Sequence, residues 1–184
     1  RIDSAGNVGI GTTSPSAPLH ISQTDTGNTI LLESTEAGSA HAPNIQFYRN
    51  SASPAVSDQI GAITFTANDD GGAQSNIAKI YSYMEDETAA TENGVVILQV
   101  AEAGSLRNNL VIGSTLVSVN SSQRNVDFRI LSDDGNVNLY SDAGNNRIGV
   151  GTSTPGHTFH VLSEATEVIA EDGSSGIKTG IKSG

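Results

Sequence analysis

A chain of 184 residues with no cysteine and no tryptophan can hold neither a disulfide scaffold nor a thiolate metal site, and four Phe and four Tyr supply few large anchors. Nine Lys and Arg against 20 Asp and Glu leave a formal charge of −11, the wrong sign for gripping nucleic-acid phosphates or an anionic membrane surface. No apolar run reaches the ~18 residues of a membrane span and the opening residues are no signal peptide, so neither nucleic acid nor membrane insertion is expected.

Residue 1 is Arg rather than Met, and the chain is expected to be a piece of a longer one. Twenty glycines, abundant Thr, Ser and Asn, and more Val and Ile than Leu make a strand-and-turn composition. With thin hydrophobic resources, such a chain is expected to share its core with copies of itself.

In chain order, almost every apolar stretch is short and alternates with period two, the signature of strands between Asn, Asp, Gly and Ser clusters. "APLHIS" sets Leu19 and Ile21 on one face with His20 between them, and "NTILLES" and "NIQFYRN" read as the next strands. "DQIGAITFTAN" and "NIAKIYSYM" continue the pattern as far as Met84. Asn93-Gly94 reads as a turn tolerant of positive φ, and residues 93–113 then read as a β-hairpin. Its strands are Val95–Ala101 and Leu106–Ile112, joined through Glu102-Ala103-Gly104-Ser105. A helical turn over "AEAGSLRNNL" is the alternative, disfavoured by Gly104 and by the paired Asn108-Asn109. Short strands follow in "STLVSVN", "NVDFRIL", "NVNLYS", "RIGVG" and "HTFHVLS". No segment keeps an i, i+3, i+4, i+7 rhythm over a dozen residues, and the chain reads as all-β.

One phrase is written twice. Val8-Gly9-Ile10-Gly11-Thr12 matches Ile148-Gly149-Val150-Gly151-Thr152, Pro15 matches Pro155, and Leu19-His20-Ile21 matches Phe159-His160-Val161. Ala5-Gly6-Asn7 matches Ala143-Gly144-Asn145, with Asn146-Arg147 inserted in the second copy, an insertion expected to shift the register of that turn. The glycines of such a strand suit close approach of another backbone, and the proline redirects the chain. A unit of two or three short strands cannot bury its apolar face alone. Two copies of it suggest places where neighbouring chains pack around a common axis, through Val8, Ile10, Leu19, Ile21, Ile148, Val150, Phe159 and Val161.

"DSAGNVGIGTTSPSAPLHI" resembles the shaft repeats of tail-fibre and tailspike proteins of tailed bacteriophages. The stretch from "PNIQFYRN" through "DQIGAITFTAND" to "ENGVVILQVAEAGSLRNNLVIG" is similar to the β-rich module between such repeats, so the likeness spans most of the chain. The resemblance implies an elongated, intertwined homotrimer in the virion tail fibre. It would be joined to other tail or baseplate proteins and would help the phage adhere to a glycan or protein receptor on its host. In many relatives an intramolecular chaperone follows and is cleaved off, and none is visible before the terminal "GIKTGIKSG". The expected organisation is a shaft repeat at 1–24, a middle module at 25–140, and a second repeat with a C-terminal extension at 141–184.

Several short motifs bear on sharper chemistry. Gly6-Asn7-Val8-Gly9-Ile10-Gly11 brushes against phosphate-binding loops, but Pro15 and a strand follow where a helix should open, and no Lys-Ser/Thr pair completes a P-loop. Asp69-Asp70-Gly71-Gly72 and Asp133-Asp134-Gly135-Asn136 lack the spacing and closing Glu of a calcium loop and read as tight turns. Glu85-Asp86-Glu87, with Glu92 nearby, could supply the two carboxyl groups of a glycan-cleaving tailspike, although a solvated acidic turn fits the composition better. His20 and His160 stand at equivalent positions and could meet a metal or anion at a threefold axis; a strand histidine that faces solvent or is hydrogen-bonded to backbone is preferred. No Ser-His-Asp set can be picked out. No catalytic residue, metal ligand or cofactor is therefore assigned.

Recognition is expected in the polar loops of the middle module, "RNSASPAVSD", "NDDGGAQSN" and "EDETAATEN", since loops on a β scaffold commonly carry binding. The candidates are Asn68, Asp69, Asp70 and Gln74, with Tyr81 and Tyr83 either stacking on sugars or packing the module. The alternatives to an adhesive fibre are a glycan-degrading tailspike, a bacterial trimeric surface adhesin and a plain spacer.

Overall fold

In the computed structural model, residues 1–39 and 43–162 are described, together with the backbone of two short strands, Ile169–Glu171 and Lys178–Gly180, which pair antiparallel. Those two strands apart, the expected C-terminal extension beyond 162 lies outside the described residues. The fold is all-β, with no helix among the described residues. The chain divides into two compact units, Arg1–Gln46 and Phe47–Gly184.

In the first unit, β1 (Val8–Ile10) and β2 (Leu19–Ile21) pair in parallel, Val8 beside Leu19 and Ile10 beside Ile21. Parallel strands usually need a crossover of a dozen or more residues, and here residues 11–18 suffice, because the connection is a tight proline-containing turn. The strand expected in "NTILLES" does not form: Ile30, Leu31 and Leu32 are exposed and outside any ladder.

"NIQFYRN", whose last four residues open the larger unit, also forms no strand, although Phe47 lies over Gly61, where a β-carbon would come within 2.6 Å of its Cβ. Both segments have strand-like composition, but a strand exists only when another edge accepts its backbone bonds, and the described chain offers them none. An antiparallel five-stranded sheet follows, of β3 (Gln59–Asn68), β4 (Gln74–Asp86), β5 (Asn93–Glu102), β6 (Ser105–Ile112) and β7 (Val117–Val119), ordered as in sequence. The hairpin read from residues 93–113 is present, with Ala103 and Gly104 at φ 47° and 76° as its two turn residues. Asn93-Gly94, expected to turn, instead lies inside β5, where Gly94 pairs with Met84. The positive φ before that strand falls on Ala90.

A second sheet joins β8 (Phe128–Leu131), β9 (Val137–Asp142), β10 (Arg147–Val150) and β11 (Phe159–Val161), in the order β11-β10-β9-β8. The β10–β11 pair is parallel and repeats the register of the first unit residue for residue, Ile148 beside Phe159 and Val150 beside Val161. The Asn146-Arg147 insertion leaves this strand register unchanged and alters only the turn before it: Asn146 takes a φ of 53° in that turn, and Arg147 opens β10 opposite Asp142.

Candidate functional site

The two copies of the repeat are built by the same bonds. Val8 N–H donates to Pro18 O and Ile148 N–H to Thr158 O, both at 2.8 Å. Ser22 N–H closes onto Ile10 O as Leu162 N–H closes onto Val150 O. Gly11 and Gly151 both take φ +73°, and a side chain at either would run into the carbonyl of Ser22 or Leu162. The conformation and the crowding together admit glycine alone. At the strand glycine the close neighbour belongs to the chain itself: a β-carbon on Gly9 would lie 2.7 Å from Thr12 O, and Thr152 O crowds Gly149 the same way. The sequence suggested close approach of another backbone on this glycine side, and the backbone that approaches is that of the repeat's own turn.

His20 and His160 also behave alike. Nδ1 of each accepts a backbone N–H four residues earlier, from Ser16 at 3.3 Å and Gly156 at 3.1 Å. Each ring thus holds its own turn with the acceptor on Nδ1, the backbone-bonded one of the two roles left open by the sequence. One difference was missed by sequence reasoning. Arg147, half of the insertion, donates from Nη1 to Pro155 O at 2.8 Å and ties the second turn to its strand. The signal was there, as a lone cation inserted beside a turn. Of the eight apolar repeat positions, Val8, Ile10, Leu19, Ile148 and Phe159 are exposed, while Ile21, Val150 and Val161 are half-buried.

Several carboxylates among the described residues serve their own turns. Asp3 accepts the N–H of Ala5 and Asn7 and the Nδ2 of Asn7, and its carboxyl is held below the usual range, first by the Asn7 N–H. Asp142 holds Asn145 through backbone and side chain in the same fashion. Asp134 is bonded by Ser132 Oγ and by Asn136, and its carboxyl is likewise lowered, chiefly by Ser132. Asp69 accepts Ala73 N–H at 2.8 Å, so both acidic sequences considered for calcium place a carboxylate on their own turn.

The loops proposed for recognition separate. "RNSASPAVSD" and "EDETAATEN" flank one end of the five-stranded sheet, where Ser57 N–H reaches Met84 O and Arg49 pairs with Asp58 at 2.9 Å. The turn after β6 joins them there, Ser114 Oγ donating to Glu85 Oε2 at 2.9 Å. The loop between Asn68 and Gln74 is at the opposite end, Asn68 beside Gln74 and Gln74 Nε2 on Thr66 Oγ1. Tyr81 lies seven residues beyond Gln74 on the same strand, roughly 23 Å away at the rise of an extended chain. The candidate residues therefore do not converge on one site.

Tyr81 and Tyr83 stand on the sheet face that carries its core. They pair across strands with Ile97 and Val95, the two hydrophobic side chains that are buried among the described residues. Their rings are 6.4 Å apart and Lys79 Nζ is 4.5 Å from the Tyr81 ring centre, so one face of that ring already carries a cation. Burial, helped by Tyr83, raises the Tyr81 phenol above its ordinary value. In the acidic loop Asp86 accepts Thr88 N–H, which lowers its carboxyl, and Glu92 accepts Ala90 N–H. A lowered carboxyl is the reverse of what a glycosidase general acid requires.

The opposite face of the sheet is open except at one edge, where Phe47 lies over Gly61. Along β5 the side chains alternate sharply: Ile97 is 4% exposed and its neighbour Leu98 39%. Leu98 belongs to a row that crosses every strand, Ile63 beside Ile80, Ile80 beside Leu98, Leu98 beside Leu110 and Leu110 beside Val119. No family model and no curated protein matches the chain.

Proposed function

We propose that this chain is a structural and adhesive segment of a phage tail fibre, a homotrimer that contributes to attachment of the virion to the bacterial host surface. The observation that carries the reading is the duplicated unit: the residues behind the resemblance build one turn and parallel strand pair twice, with most of their apolar side chains left open. Units this small gain stability from partners, and neighbouring copies are the simplest source. In this role the chain joins other tail or baseplate proteins, and its loops meet a host glycan or protein receptor with threefold avidity. The lowered Asp86 carboxyl argues against that residue as a glycosidase general acid.

Light scattering on the purified chain is expected to give three times the 18.9 kDa chain mass. The same material should adsorb to host cells without releasing reducing ends, and mass spectrometry should find the chain in purified virions. A monomer overturns the reading. Oligosaccharide release that disappears when Glu85, Asp86 and Glu87 become Gln, Asn and Gln would make the protein a tailspike enzyme instead.

A further inference from the structure

We infer that the open face of the five-stranded sheet is an interface between copies of this chain, distinct from the repeat units. The inference rests on the trimeric reading above and adds a surface to it. Three rows of side chains cross this face. The central row, from Ile63 to Val119, is aliphatic at all five positions. The row on one side carries Val96, Ile112 and Val117, and the row on the other Phe65 and Val100. Arg107 at the margin is the one charged residue in the three rows.

Magnitude decides against leaving such a face in water. The exposed apolar side chains in these rows each leave between a third and two thirds of their surface open. Together they present on the order of 700 Å², above the few hundred Å² that soluble monomers leave contiguous and close to the ~800 Å² each partner contributes to a stable interface. On the inner face, by contrast, Val95 and Ile97 beside the two tyrosines are at 1% and 4% exposure.

The occupant is the same face of the other copies. A flat aliphatic sheet surface packs best against another sheet's side chains at about 10 Å spacing. It also carries no charge pattern with which to select a different partner. Copies that each bear a net charge of −11 repel least where they bring no carboxylate together, and none of the 20 Asp and Glu lies in these rows.

The absence of native cysteine makes the test direct. Leu98→Cys and Thr64→Cys place one thiol on the open face and one on the opposite face of the same sheet. Both full-length variants are treated with a maleimide at the concentration where the particle mass is measured. In a three-chain particle, Leu98→Cys is expected to react at least tenfold more slowly than Thr64→Cys, with the difference vanishing in denaturant. Should Leu98→Cys not fold, Val119→Cys at the edge of the same row takes its place. Equal rates in a three-chain particle would overturn this interface and leave the trimeric reading standing. A single-chain mass would remove both.

Discussion

Two kinds of residue carry specific, checkable consequences. Gly151 needs both its positive φ and its missing side chain, whereas Gly6, at φ +87°, faces open space. Gly6→Ala should therefore cost only the left-handed strain of about 1 kcal/mol, while Gly151→Ala adds a collision with the Leu162 carbonyl and should cost at least ~3 kcal/mol. Thermal melts of the two variants, with amide exchange at Leu162 as the local readout, check the order. The second case is Asp127, which accepts Tyr140 Oη–H and, at 3.0 Å, Ala143 N–H. The Tyr140 bond is the main cause that lowers the Asp127 carboxyl, and the same bond raises the Tyr140 phenol. Since the folded value lies below the unfolded one, the contribution of Asp127 is complete above the ordinary carboxyl range near ~3.9 and is lost as pH falls through the lowered folded value. Asp127→Asn should flatten that acid limb and bring Tyr140 ionisation back toward ~10, read from its ring resonances in a pH titration. An unmoved Tyr140 would mean that the bond does not persist in solution.

At the scale of elements, neighbouring valines of β5 give opposite expectations. Val95 is buried whatever the chain's partners do, so Val95→Ala should cost roughly 2 kcal/mol at any protein concentration, about what two or three buried methylenes are worth. Val96, 45% exposed on the open face, should cost a comparable ~2 kcal/mol only where copies assemble, and about half that in dissociated chains. Denaturation of both variants across a dilution series separates the cases. The hairpin turn offers a gain. Ala103 holds a φ of 47° ahead of Gly104, a geometry that Asn-Gly satisfies with less strain. Ala103→Asn should stabilise by about 0.5 kcal/mol and raise the melting temperature by about 1–2 °C. A lower melting temperature would show that the turn relaxes elsewhere.

For the whole molecule, the placement of loops divides the adhesion experiment. "RNSASPAVSD" and "EDETAATEN" share one end of the sheet and can form a common surface, whereas Asn68–Gln74 ends the other side as a tight hairpin. Shortening the loops at the first end is expected to reduce adsorption to host cells together, and shortening 69–73 should act independently. If adsorption is unchanged in every variant while the particle keeps three chain masses, recognition by this module is excluded and it serves as a spacer.

Sequence alone determined what depends on near neighbours. Period-two alternation located β3 to β6 because a pleated strand sends successive side chains to opposite sides, and Ala103-Gly104 fell within the expected turn. The repeat was legible because its glycines, proline and histidine act within about twenty residues, and the bond of each histidine to the backbone of its own turn is one of those short-range contacts. Tertiary structure alone decided which edges meet and which faces close. "NTILLES" and "NIQFYRN" have the composition of strands and lack a partner, while Asn93-Gly94 has the composition of a turn and is held extended by Met84 and Asp86 across the ladder. Alternation showed that Ile97 and Leu98 point opposite ways, but both are aliphatic, so their composition could not say which faces the tyrosines and which remains open. That choice is made by strand pairing between residues far apart in the chain, and the pattern of any one strand does not contain it.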